Sequence, residues 1–182
     1  MSNREKWALT INKAAKGGNK LLTPLTLLGF IFFLSFNIGF IALALWLDKL
    51  LKLPGILPSP WEKIIAAPLI FIGLFFMIWS VGNFLKARGT PVPFNPPKIL
   101  VIAGPYAYSR NPMMTGLFGL LFGLGVLWNS IMLTFVITPL IVAISVMELK
   151  KVEEPELEER FGNDYLEYKK RVPMFVPRWK RE

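Results

Sequence analysis

The sequence predicts an all-α fold: a polytopic membrane helix bundle of about four transmembrane helices, the last two forming a helical hairpin, plus a C-terminal amphipathic helix. Three observations predict it. Of 182 residues, 53% are hydrophobic, a high share for a soluble domain. No acidic residue lies between Glu62 and Glu148, and the charges between them are only Lys63, Lys86, Arg88, Lys98 and Arg110. Three stretches, 24–47, 64–85 and 112–147, carry no charge at all.

The chain starts with a basic segment, 1–23, holding Arg4, Lys6, Lys13, Lys16 and Lys20. Residues 3–16 either form a short surface helix, with Trp7, Ile11 and Ala14 on one face, or stay a disordered basic tail. The first apolar block is too long for the core of a cleavable signal, although Ala42-Leu43-Ala44 resembles a cleavage site. A helix needs roughly 20 residues to cross the ~30 Å hydrocarbon layer, so the first two blocks make one span each. Block 112–147 is too long for one span and makes two, turning at Trp128-Asn129-Ser130.

Basic residues choose the side. Loop 86–112 holds Lys86, Arg88, Lys98 and Arg110, and nine Lys or Arg follow Met147, whereas the hairpin tip has none. Both termini are therefore expected in the cytosol. The net charge of +9 is mostly topological, with contact to anionic membrane lipids as a secondary effect. It flanks spans rather than forming one patch, which argues against a nucleic-acid partner. With no Cys and no His, disulfides, a Cys nucleophile, a His base and a Cys/His metal site are excluded; no metal is expected.

Within the spans, Gly119 and Gly123 form a small-xxx-small pair, extended by Gly116 and Gly125 into one thin face. Pro139 should kink the fourth span and free a carbonyl. Asn37 and Asn83 are expected to bond to neighbouring helices, or Asn83 to touch a ligand.

The informative segments lie on the expected cytosolic side. Gly89 to Gly116, GTPVPFNPPKILVIAGPYAYSRNPMMTG, holds six prolines yet is rich in apolar residues. A free linker would be polar, so this one is pinned to the membrane surface or lines a cavity. Gly104-Pro105-Tyr106 reads as a turn, and Pro112 fits the first turn of the third span. Arg110, beside that helix N-terminus, either grips a carboxylate or phosphate or anchors the helix at the interface. In the second segment, Pro155 makes the helix bend or restart just after Glu153 and Glu154. Those two carboxylates stand at the bundle mouth, either as ligand groups or as part of a solvated face with Glu156, Glu158, Glu159 and Arg160. Leu157, Phe161, Tyr165 and Tyr168 make one apolar stripe along an amphipathic helix.

GTPVPF and PPKILVIAGPYAYSRNPMMTG, followed by EEPELEERFGNDYLEYKKRVPMFVP, resemble the isoprenylcysteine carboxyl methyltransferase and phospholipid methyltransferase superfamily. Its pattern is G-P-Y-x-Y-x-R-H-P-x-Y-x-G, then E-E-x-x-L-x-x-x-F-G-x-x-Y-x-x-Y-x-x-x-V-P. The resemblance covers about 86–177 and implies one membrane domain: a basic segment 1–23, two spans in 24–85, a methyltransferase-like cofactor region 86–177 and a tail 178–182. It implies an S-adenosylmethionine-dependent methyltransferase (EC 2.1.1 class) acting on a lipid-like or prenylated acceptor. Carried over, Lys98, Ile99, Leu100, Val101, Tyr106, Asn111, Pro112, Met113 and Met114 bind the cofactor. Glu153 meets its charged end, with Glu154 beside it, and Arg110, Glu153 and Glu154 are the catalytic candidates. Asn111 replaces the family His and Met114 the family Tyr. Leu149 stands where eukaryotic carboxyl methyltransferases hold an Arg, which points away from prenylcysteine. Methyl transfer from a sulfonium needs alignment more than an acid or base, which suits a chain without His or Cys. A membrane reductase using NADPH, of the sterol-reductase type, and a non-catalytic membrane relative are the alternatives.

Overall fold

The computed structural model describes residues 24–87, 89 and 97–176, and the surface-helix expectation for 3–16 lies outside them. Every regular element among the described residues is helical. Helix α1 is Pro24–Leu50 and α2 is Trp61–Lys86. Helix α3 is Pro112–Leu127. A continuous 30-residue rod, Met132–Phe161, follows and contains α4, Thr138–Glu148, and α5, Glu154–Phe161. Helix α6 is Asn163–Arg171.

Three helices are long and apolar enough to cross a membrane: Thr26–Leu50, Trp61–Lys86 and Met132–Phe161. With 16 residues, α3 is shorter and reaches about 24 Å. Phe32, Ile38, Phe71 and Ile78 are exposed on the outer faces. Such large apolar side chains suit lipid, not water. The core lies between the hairpin and α1, around Leu117, Leu121, Leu133, Ile137 and Ala44.

The hairpin turn falls at the expected residues. Asn129 takes a left-handed backbone with φ 53°, which Asn tolerates better than most side chains. Its Oδ1 accepts the Leu57 N–H at 2.9 Å. Ser130 caps the next helix, its Oγ accepting the Leu133 N–H at 2.9 Å. The same hydroxyl donates to Asp48 at the end of α1, and Asp48 Oδ1 accepts the Met132 N–H at 3.0 Å. An acid from another helix thus completes the cap, where the positive end of the dipole favours it. It also fixes the end of α1 beside the hairpin tip, so the functional segments gather at the opposite end. Asp48→Ala should cost about 1–2 kcal/mol, the size of a lost cap. A thermal midpoint unchanged in detergent would contradict this.

Several sequence expectations are corrected. The glycine face splits in two. Gly116, Gly119 and Gly123 meet α2, while Gly125 meets Thr134 of the hairpin partner. Among the described residues, Asn37 and Asn83 do not hydrogen-bond to other helices; their amides donate to Phe33 and Trp79 of their own helices, at 2.9 and 2.8 Å. In hydrocarbon the i−4 carbonyl is the nearest acceptor, which explains the choice. The proline expectations are not among these: Pro139 and Pro155 each follow a π-helical turn, Met132–Ile137 and Leu149–Glu153, a local break in the regular helix at the missing N–H. The apolar stripe does not run along one helix. Gly162, at φ 55°, breaks it into α5 and α6.

Candidate functional site

The site is built from the segment 97–112 and the chain from Glu148 onward. Pro97 is held by Arg160, whose guanidinium donates to the Pro97 carbonyl at 2.9 Å. The turn at Gly104-Pro105-Tyr106 forms as a 3-10 helix, Gly104–Ala107. It places the Tyr106 ring edge-on to Phe84 at 5.4 Å. The Tyr168 hydroxyl donates to the Tyr106 carbonyl at 2.7 Å, tying α6 to this turn. Burial pushes the Tyr106, Tyr165 and Tyr168 phenols up, so they stay neutral.

Residues 172–175 form a strap across the start of α3. The Pro173 carbonyl accepts the Arg110 N–H at 2.9 Å, and the Met174 carbonyl accepts the Asn111 N–H at 3.1 Å. Ser109 Oγ donates to Met174 at 3.0 Å, and Thr115 Oγ1 to Phe175 at 3.3 Å. The Arg110 and Asn111 backbone donors just before α3 are thus occupied by the chain itself.

Arg110 joins these parts. Its Nε donates to the Val172 carbonyl at 3.0 Å, and its Nη1 to Tyr165 Oη at 3.3 Å and to Glu154 Oε1. The Arg110 and Glu154 side chains are only 11% and 8% exposed. Glu154 Oε2 meets Lys169 Nζ at 2.7 Å, and Lys169 also meets Glu158 at 2.8 Å. Those two hydrogen bonds, Glu154's first, hold the Lys169 ammonium above its ordinary pKa.

Between these walls lies a cavity of about 330 Å³. Its apolar lining includes Ile99, Leu100, Val101, Leu149, Val152 and Leu157, and its aromatic lining Phe84, Tyr106, Phe161, Tyr165 and Tyr168. Arg110, Asn111, Glu148, Glu153, Glu154, Glu156 and Arg160 supply the polar groups. Arg110 pairs with Glu154, and Arg160 with Glu156 at 3.3 Å. Among the described residues, no group hydrogen-bonds or ion-pairs with Glu153.

The structure brings together Ile99, Leu100, Val101, Tyr106, Arg110, Asn111, Glu153 and Glu154. Lys98 lines a neighbouring surface groove with Asp164 and Arg171. Pro112 is buried at the start of α3, Met113 is half-buried, and Met114 packs on the hydrophobic core; none of the three lines the cavity. Glu156 and Arg160 do not lie on a solvated face but line the cavity as a pair. Sequence reasoning missed Phe84, Glu148, Lys169 and the strap. The available signal was Lys169 one turn beyond Tyr165 on the same short helix.

A family model described as phospholipid methyltransferase matches residues 61–164, more than half of the chain. No curated protein and no solved structure matches it.

Proposed function

Because this chain belongs to the phospholipid methyltransferase family, a family of membrane methyltransferases with lipid-like substrates, we propose that it transfers a methyl group from S-adenosylmethionine to a lipid-like acceptor at the cytosolic membrane face. The observation that carries the donor assignment is Glu153, which like Glu148 has no ion-pair partner among the described residues, in a cavity whose other charged groups, Arg110, Glu154, Glu156 and Arg160, are paired with one another.

The residue types fit that donor. Ile99, Leu100 and Val101 offer an apolar wall for adenine. Glu153 offers a charge-assisted hydrogen bond to an ammonium. Tyr106 and Phe84 offer ring faces and edges near a cation. When bound, S-adenosylmethionine supplies a methyl group made electrophilic by its sulfonium. The chain's task is then to align an acceptor and exclude water, which the apolar lining and the strap over α3 favour. A carboxylate acceptor needs no base. An amine acceptor must lose a proton, for which the carboxylate oxygens of Glu148 and Glu153 are at hand.

NADPH fits less well. Its phosphates call for free cations, and the two that line the cavity, Arg110 and Arg160, each pair with a carboxylate. Purified protein in detergent should bind S-adenosylmethionine and S-adenosylhomocysteine saturably, and Glu153→Ala should weaken both by about 10- to 100-fold, the worth of one buried charge-assisted bond. Saturation by NADPH alone would overturn this reading. Labelled methyl transfer into a membrane lipid extract tests turnover and excludes a non-catalytic relative.

A further inference from the structure

Glu153 and Glu154 are neighbours in one helix and differ sharply in surroundings. Successive residues of a helix point about 100° apart, so two adjacent carboxylates need not share a task. Both oxygens of Glu154 are occupied, one by Arg110 and the other by Lys169 at 2.7 Å. Lys169 is itself steadied by Glu158 at 2.8 Å. Arg110 is steadied by Tyr165 and the Val172 carbonyl. Of the two, Glu153 has no cation among the described residues, while Glu154 stands in the cavity wall with its charge balanced.

We propose that Glu154 and Lys169 are positioning residues rather than ligand contacts, and that Lys169, by covering the second oxygen of Glu154, sets how strongly the cavity prefers a cationic ligand over a neutral one. This rests on the S-adenosylmethionine reading. Donor and spent product differ by one methyl group and one positive charge: the sulfonium of the former becomes a neutral thioether in the latter. Their adenosine and amino-acid ends are the same. The ratio of their affinities therefore isolates the charge seen at the sulfur. Uncovering one Glu154 oxygen adds a negative charge to the wall, which attracts the sulfonium and leaves the thioether unaffected. Glu154→Gln does the opposite, leaving two cations without their shared anion.

The test measures dissociation constants for both sulfur ligands, by calorimetry on the full chain in detergent. Lys169→Met should shift the ratio toward S-adenosylmethionine by about three- to fivefold, as expected for one unit charge roughly 10 Å away in a partly hydrated site. Glu154→Gln should shift it the other way by a similar factor. Lys169→Arg should keep the wild-type ratio, because the second oxygen stays covered. Glu158→Gln should stay within about twofold, because Lys169 keeps its bond to Glu154. Merely structural damage weakens both ligands alike and leaves the ratio still. An unchanged ratio in both Lys169→Met and Glu154→Gln overturns the proposal. Failure of the wild-type protein to bind either ligand instead overturns the methyltransferase donor assignment.

Discussion

Arg110→Met should abolish measurable binding of S-adenosylmethionine and destabilise the protein by about 3–5 kcal/mol, the cost of stranding one member of a buried ion pair. One side chain joins three parts of the C-terminal region to a segment 44 to 62 residues before them. It pairs with Glu154 in α5, bonds Tyr165 in α6 and holds the Val172 carbonyl of the strap. Its loss leaves Glu154, 8% exposed, with Lys169 as its remaining cation. Lys at 110 should rescue little. A guanidinium presents Nε and Nη1 in fixed, separate directions, and a single ammonium cannot serve the strap and Glu154 together. The measurements are a thermal unfolding curve in detergent and a ligand titration. In the double variant with Glu154→Gln, the destabilisation should fall clearly short of the sum of the single effects, because the two residues share one interaction. Strict additivity would show that Arg110 acts through something other than this pair.

Gly116→Leu should be as damaging, for an unrelated reason. Helices α2 and α3 cross with backbone nearly touching backbone. A Cβ on Gly73 would stand 2.7 Å from the Gly116 carbonyl, and one on Gly116 would stand 2.6 Å from the Gly73 carbonyl. Neither contact can be relieved by turning a flexible side chain, so the helices must part. Overpacking of this kind costs about 3 kcal/mol or more. Separation would also drag Phe84 and the start of α3 away from each other, and both belong to the candidate site. Gly39→Leu and Gly82→Leu are internal controls, since a Cβ at either meets nothing within 4 Å. They should change stability by less than about 0.5 kcal/mol. The comparison is the thermal midpoint and the monodisperse yield after detergent extraction. If all three variants behave alike, close helix approach is not what holds this bundle.

The helices were legible because the membrane imposes a simple rule: charge-free runs of spanning length, flanked by Lys and Arg. The turn at Asn129 was legible too, from a run too long for one crossing. What the sequence hid is of another kind. Nothing in the sequence pattern marks Asp48, because its role depends on Ser130 and Met132 lying beside it only after folding. Tyr165 and Tyr168 read as part of one unbroken apolar stripe, lying on the membrane or on the bundle. Gly162 turns the chain, and the two rings face the cavity instead. Arg110 and Glu154 were both singled out for a ligand, yet the folded chain pairs them with each other across 44 residues. Local pattern reports which residues are unusual for their place; it does not report which of them answer one another.

The strap also has a bearing on how the molecule is made. Residues 172–175 follow all four crossings in the chain, as do α5 and α6. The segment they enclose, from Pro97 to Asn111, emerges from the ribosome well before them. At about 5–20 residues per second, that segment waits several seconds for its cover. During that interval its apolar side chains have only α2 and the membrane surface to lie against. Insertion of the bundle therefore precedes closure of the cavity, and biogenesis has a fixed order: spans first, chemistry last.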